Sequence, residues 1–180
     1  MEAESELAIW LLPAEPERSS LGTVIARLAR QWDTPEFEPH VTVISGIRLP
    51  AGRAMTLLAE ATGETASFRL APAALAHTPA RFQCLFLTFA DPRPVLELRA
   101  RLVPAFGLLG VAFPEPHLSL LYAVLAEEAR QLAAAQVTMP GPFLAAELAL
   151  VAPAAGESSW ANVRGWRILE RFPLHEAELP

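Results

Sequence analysis

The chain has 180 residues, enough for one domain or two closely packed lobes. It is 52% hydrophobic, so it can bury a sizeable core, and its net charge of −6 argues against binding long nucleic acid by neutralising many phosphates. All 14 basic residues are arginine, and the lack of lysine excludes Schiff-base chemistry, a lysyl-nucleotide intermediate and a Walker-type phosphate loop.

In chain order, Glu6 to Leu12 is an apolar run ended by Pro13 and Pro16, and it predicts a buried strand. Ser19 or Ser20 can cap a helix that continues to Gln31. Leu21, Val24, Ile25, Leu28 and Trp32 share its apolar face. A strand from His40 to Ser45 follows, closed by Gly46. Residues 51–62 predict a second helix, and Ser67 to Ala76 a strand interrupted near Pro72.

The second half repeats that order. Phe82 to Phe89 predicts a strand, and Pro92 precedes a helix with Val95, Leu98, Leu102 and Phe106 on one face. A loop over 107–116 leads into a strand from His117 to Tyr122. Glu127 and Glu128 open a further helix, where acids suit the N-terminus. Phe143 to Val151 and Trp166 to Phe172 predict closing strands. The expected fold class is α+β: two pseudo-symmetric lobes, with largely antiparallel sheets, around a central cleft. The approximate halves are 1–78 and 79–180 of a single bilobal domain, with closing strands free to cross between lobes.

Two stretches carry the chemistry. Pro39-His40-Val41-Thr42-Val43-Ile44 is echoed by Pro116-His117-Leu118-Ser119-Leu120-Leu121, with the histidines 77 positions apart. Side chains alternate along a strand, so His40 shares a face with Thr42, and His117 with Ser119. Val41, Val43, Leu118 and Leu120 are then left for the core. One imidazole and one hydroxyl aimed outward from an apolar strand, twice in one chain, predict a two-histidine site. A single copy would be read as an ordinary half-exposed strand.

These paired His-x-Thr/Ser motifs resemble the signature of the 2H phosphoesterases. The match is closest to the cyclic phosphodiesterase branch of plants and yeast. Trp10 to Pro13 and Phe82-Gln83-Cys84 fall at similar positions in that branch. The resemblance implies metal-independent hydrolysis of small cyclic phosphodiesters, with no cofactor. Implied substrates are nucleoside 2′,3′-cyclic phosphates, opened to a 2′-phosphate, and ADP-ribose 1″,2″-cyclic phosphate, a by-product of tRNA splicing. It assigns catalysis to His40, Thr42, His117 and Ser119, with His117 as base and His40 as acid. A histidine pKa near 6.5 lets both roles coexist at neutrality.

Trp10, Phe82 and Tyr122 are candidate substrate-binding residues. A core position suits Trp10 equally well. Strand parity places Tyr122 on the face away from His117, unless the strand bends or ends by Leu121. Arginines able to hold a second phosphate, such as Arg48 or Arg81, are not placed by the sequence. His77 and His175 are expected at the surface.

Cys84 is the sole cysteine, so no internal disulfide can form, unlike the plant members of that branch. This suits a reducing, cytoplasmic setting. No signal peptide and no apolar run of about 18 residues is visible, so no membrane partner is expected. The expected partner is a small nucleotide-like cyclic phosphate, and the expected state a monomer. Two other readings stand: an enzyme acting on RNA 2′,3′-cyclic ends, and a non-catalytic nucleotide-binding module.

Overall fold

A computed structural model describes residues 6–154 and 160–176 of the chain. Strand β1 (Leu7–Pro13) is buried on both faces. Leu7, Ile9 and Leu11 enter the main core, while Ala8, Trp10 and Leu12 enter a smaller cluster with Ala149 and Val151. Double burial is why this strand is continuously apolar rather than alternating.

Helix α1 (Glu17–Trp32) starts earlier than its serines suggest. Ser19 is not its cap. The Glu15 carboxylate instead accepts the Ser19 N–H at 3.1 Å and the Ser19 hydroxyl at 2.7 Å. A carboxylate at that end suits the helix dipole. Then come β2 (Val41–Ile47), α2 (Ala51–Gly63), β3 (Phe68–Leu70) and β4 (Pro72–Ala76). The second half supplies β5 (Leu85–Phe89), α3 (Arg93–Ala105), β6 (Leu118–Leu121), α4 (Glu127–Ala135), β7 (Phe143–Ala152) and β8 (Arg167–Pro173). Phe82 lies outside β5, because Arg81–Gln83 forms a short 3₁₀ turn. Gly46 does not end β2, which runs on to Ile47.

The strands form one antiparallel sheet in the order β3-β7-β1-β2-β6-β5-β4, with β8 also paired to β7. β3 and β4 lie at opposite ends of that order, yet only Ala71 separates them in sequence. One residue spans at most about 3.6 Å, so the sheet must curl until its ends nearly meet. The rings of Phe89 on β5 and Phe143 on β7 accordingly touch edge to face, with centroids 6.0 Å apart.

The units β1-α1-β2 and β5-α3-β6 repeat one another. Each helix crosses to the other unit's motif strand: α1 packs on β6 and α3 on β2. The spatial halves are not the sequence halves. β4 pairs with β5, and β7 pairs with β1, so closing strands are exchanged between lobes. Among the described residues, no helix is long and apolar enough to cross a membrane.

Leu118 is fully buried at the seam between the lobes. Leu118→Ala should cost about 2–5 kcal/mol of stability, as a buried Leu-to-Ala cavity does. Urea unfolding at neutral pH measures it, and a loss below about 1 kcal/mol would mean the seam is not tightly packed.

Candidate active site

β2 and β6 share one paired position, Val41 with Leu118. Both residues are fully buried. In the same antiparallel register, Thr42 stands opposite His117 and His40 opposite Ser119. Partners across a ladder share a face. The two motifs therefore meet around one seam, with their polar side chains on the same side of the sheet.

Each motif strand then carries a bulge. Trp10 pairs with Thr42 but Ile9 with Ile44, so β2 holds one extra residue at Val43. Phe86 pairs with Ser119 but Leu85 with Leu121, so β6 holds one at Leu120. A bulge reverses the alternation beyond it. Ser45 and Tyr122, each five positions after its histidine, return to the site face. This resolves the unfavourable parity of Tyr122, which lies just beyond the end of β6 and lines the cleft.

The imidazoles are oriented alike. His40 Nδ1 lies 2.6 Å from the Glu38 carbonyl, and His117 Nδ1 lies 2.8 Å from the Glu115 carbonyl. A carbonyl only accepts, so Nδ1 carries the proton and Nε2 of the neutral ring is left with its lone pair free to accept. The motif thus extends to Glu-Pro-His in both copies. Its signal lay in the sequence, but the glutamate acts through its main chain.

Their surroundings differ. His40 is 4% exposed and stacks on Trp10, with centroids 3.7 Å apart and planes 11° apart. Burial pushes its pKa down to about 4, against a smaller opposing pull from the Glu38 carbonyl. The charge of His117 adds to the lowering. His117 is half-buried, with Phe86 edge-on at 5.2 Å. Burial also lowers its pKa, and the nearby Arg99 charge adds to the effect.

His40, Thr42, His117, Trp10, Phe82 and Tyr122 all line one cleft of about 430 Å³. The Thr42 side chain is half-exposed there. Ser119 is not part of the lining. It is 3% exposed, and its hydroxyl donates to the Phe82 carbonyl at 2.9 Å. Tyr122 OH lies 3.4 Å from His40 Nε2, and its ring stacks on Phe37 at 3.8 Å. Trp10 therefore has one face covered by His40, and Tyr122 one face covered by Phe37. Phe82, 38% exposed, is the open ring of the three. Arg81 joins the lining, whereas Arg48 does not. His77 and His175 lie elsewhere, with His175 Nε2 held by the Gly63 carbonyl at 2.6 Å.

Several lining residues carried no motif. Trp166 packs 5.5 Å from Trp10, 5.7 Å from Tyr122 and 6.0 Å from Phe82. It sits where a 3₁₀ turn leads into β8. Trp160 Nε1 donates to Glu6 at 3.1 Å, and Trp166 Nε1 to the Trp160 carbonyl at 3.1 Å. Arg99 reaches the cleft from α3. These residues are more than forty positions from one histidine or the other, so only the closed sheet assembles them. Two tryptophans in a polar, Gly-containing stretch were the one available hint.

The family model for cyclic phosphodiesterase-like proteins matches residues 6–75. The cyclic phosphodiesterase of Arabidopsis thaliana is 29% identical over 124 residues, which are 69% of this chain and 68% of that protein. E. coli LigT in complex with 3′-AMP superposes with a TM-score of 0.60 at 18% identity, covering 97% of this chain and all of that one. TT0787 of Thermus thermophilus gives a TM-score of 0.62 at 16% identity, covering 95% of this chain and 98% of that one. The chain therefore shares its fold with E. coli LigT and TT0787, and over residues 6–75 its sequence is similar to that of cyclic phosphodiesterase-like proteins.

The buried His40 sets a pH dependence. Its ring prefers to be neutral in the fold, with a pKa of about 4 against the ordinary 6.5, so the unfolded chain takes up the proton first as pH falls. Stability is therefore full above pH 6.5 and falls through the window down to about 4, by roughly 3 kcal/mol from this group. Urea unfolding across this range should show the loss, and a His40→Gln variant should lack that share of it. Equal acid sensitivity in both proteins would contradict the burial of the ring.

Proposed function

We propose that the cleft hydrolyses small cyclic phosphodiesters, nucleoside 2′,3′-cyclic phosphates first among them, by paired-histidine acid–base catalysis without a metal. One observation carries the reading. Two imidazoles, each locked through Nδ1 by the carbonyl two residues upstream, present Nε2 to the same cleft.

The phosphate sits between the rings. His117, the ring more open to solvent, takes a proton from water as its oxygen bonds to phosphorus on one side. The bond to the ribose oxygen breaks on the opposite side, and His40 protonates that oxygen. The product is a monoester, a 2′-phosphate in this reading. A base must be neutral, and the lowered pKa of His117 meets that need. The acid must be protonated, which the free cleft disfavours at His40. A bound phosphodiester anion supplies the missing negative charge and favours the protonated ring.

Thr42 donates to a non-bridging oxygen as charge develops there. Ser119 contributes by turning its hydroxyl from the Phe82 carbonyl, so its share is smaller. The base lies against Phe82 and Trp166 rather than against the covered faces of Trp10 and Tyr122. Stacking on such rings contributes about 1–3 kcal/mol. Solved complexes of E. coli LigT with 3′-AMP, phosphate, NADP+ and ATP support a nucleotide-sized ligand in this fold. ADP-ribose 1″,2″-cyclic phosphate shares the required chemistry. The lining carries Arg81, Arg99 and the acidic Glu6, which favours a small ester over an RNA end needing a basic track. Among the described residues, no three His, Cys, Asp or Glu side chains converge as a metal centre requires.

Turnover of 2′,3′-cyclic AMP in excess EDTA tests the reading. Activity should persist; loss restored by a divalent ion would overturn it. His40→Ala and His117→Ala should each lower kcat by about 10²–10⁴-fold, and the double variant should lose less than the product of the two. Thr42→Ala should cost roughly 10–10³-fold, and Ser119→Ala less. A His117→Ala variant with unchanged kcat would remove the site.

The pH profiles carry a separate expectation. kcat/KM reports the free protein, where both imidazoles titrate low, and kcat reports the complex. The optimum for kcat/KM should lie at lower pH than that for kcat. Removing the base should flatten the acidic limb, and removing the acid the alkaline limb.

A further inference from the structure

The seam between β2 and β6 has one backbone pair, too little to hold two histidines at a fixed separation. Arg99 spans it. Its Nε donates to the Val43 carbonyl at 2.8 Å, Nη2 to the Thr42 carbonyl at 3.4 Å, and Nη1 to the Pro114 carbonyl at 2.9 Å. Two of these acceptors lie on the first motif strand, and the third lies in the loop that leads into the second. The residue after Pro114 is Glu115, whose carbonyl orients His117. Arg99 comes from α3, which is anchored by Val95, Leu98 and Leu102. The Phe113 ring lies under its guanidinium, 5.3 Å from ring centroid to carbon.

We propose that Arg99 is a positioning residue for the acid–base pair, tying the strand that bears Thr42 to the segment that aims His117. The proposal rests on the hydrolytic reading of the cleft. It follows from the shape of the group: a planar fork donates to several carbonyls at once in rigidly fixed directions, whereas the three donors of an ammonium sit on one nitrogen and rotate on a flexible stem. All three of these bonds go to main chain, so the guanidinium serves geometry before it serves any anion.

Its charge has a second effect. Three groups face His117: Arg99 from α3, His40 across the seam, and the Glu115 carbonyl in its own loop. Arg99 disfavours the imidazolium and keeps the ring neutral, as a base must be. Burial lowers the pKa of Arg99 itself, and the Glu115 carboxylate opposes that by favouring its charge.

Arg99→Lys and Arg99→Gln in the full chain separate shape from charge. The readouts are steady-state turnover of 2′,3′-cyclic AMP and ¹⁵N NMR of the imidazoles. Both variants should lower kcat by about 10–10²-fold with KM changed less, the cost of a misplaced reacting group. Neutral His117 should be the Nδ1–H tautomer in the wild type and a tautomer mixture in both variants. His117 should titrate at higher pH in Arg99→Gln, and near the wild-type position in Arg99→Lys. A raised KM with unchanged kcat would overturn the proposal, since Arg99 would then hold substrate. So would a wild-type tautomer and kcat in Arg99→Lys, which alone decides the matter if the Gln variant unfolds. If the wild type opens no cyclic phosphate, the hydrolytic reading falls by itself, and the His117 tautomer and titration still judge Arg99.

Discussion

Everything at the site depends on the single backbone pair between Val41 and Leu118. More pairs would have zipped β2 to β6 and closed the cleft. None would have left two unrelated lobes. One pair pins the motifs in register and lets the strands diverge on either side. The joint is held from outside the ladder, by α1 lying on β6 and α3 on β2. Each half thus clamps the other's motif strand, and the buried Val41 and Leu118 anchor both.

Symmetry of backbone coexists with asymmetry of environment. Both histidines follow Glu-Pro, both bond a carbonyl through Nδ1, and both precede a bulged strand. The second layer then diverges. His40 has a tryptophan face and a tyrosine hydroxyl, while His117 has a phenylalanine edge and an arginine. The Glu38 carboxylate joins Arg18 and Arg171, at 3.9 and 3.4 Å. Exposed pairs of this kind contribute little to stability, so their effect is local order near His40. Two imidazoles that the proposed reaction needs in different protonation states thus stand in unequal surroundings, set by the side chains of an otherwise repeated frame.

The aromatic wall comes from a segment remote in sequence. Residues 160–166 bring Trp166 to Trp10 and Tyr122, with Trp160 packed against Trp166. Glu6 holds one end through Trp160, and Arg81 reaches the Ala161 carbonyl at 3.1 Å. The turn also sits tight against the residues just past β7, since a Cβ at Gly165 would come 2.4 Å from that of Ala154. The exchanged closing strands therefore do more than complete the sheet, because they deliver one side of the binding cleft.

Most of the element order was legible in the sequence, because apolar periodicity and proline placement are local signals. The placing of His40, Thr42 and His117 at one cleft was legible too, since period-two alternation puts an imidazole and a hydroxyl on one face wherever a strand forms. Other features needed the tertiary structure. Tyr122 reaches the cleft because a bulge at Leu120 reverses parity, and a bulge depends on the partner strand β5. Ser119 is drawn onto the Phe82 carbonyl, and Trp10 is spent on His40, by contacts that no local pattern encodes. Trp166 and Arg99 join the site only once β7 and α3 have packed across the seam. The sequence by itself determined which residues could do the chemistry, because residue type and alternation are properties of a short segment. The tertiary structure decided how each is buried, bonded and faced, because desolvation and hydrogen-bond partners come from segments far away along the chain.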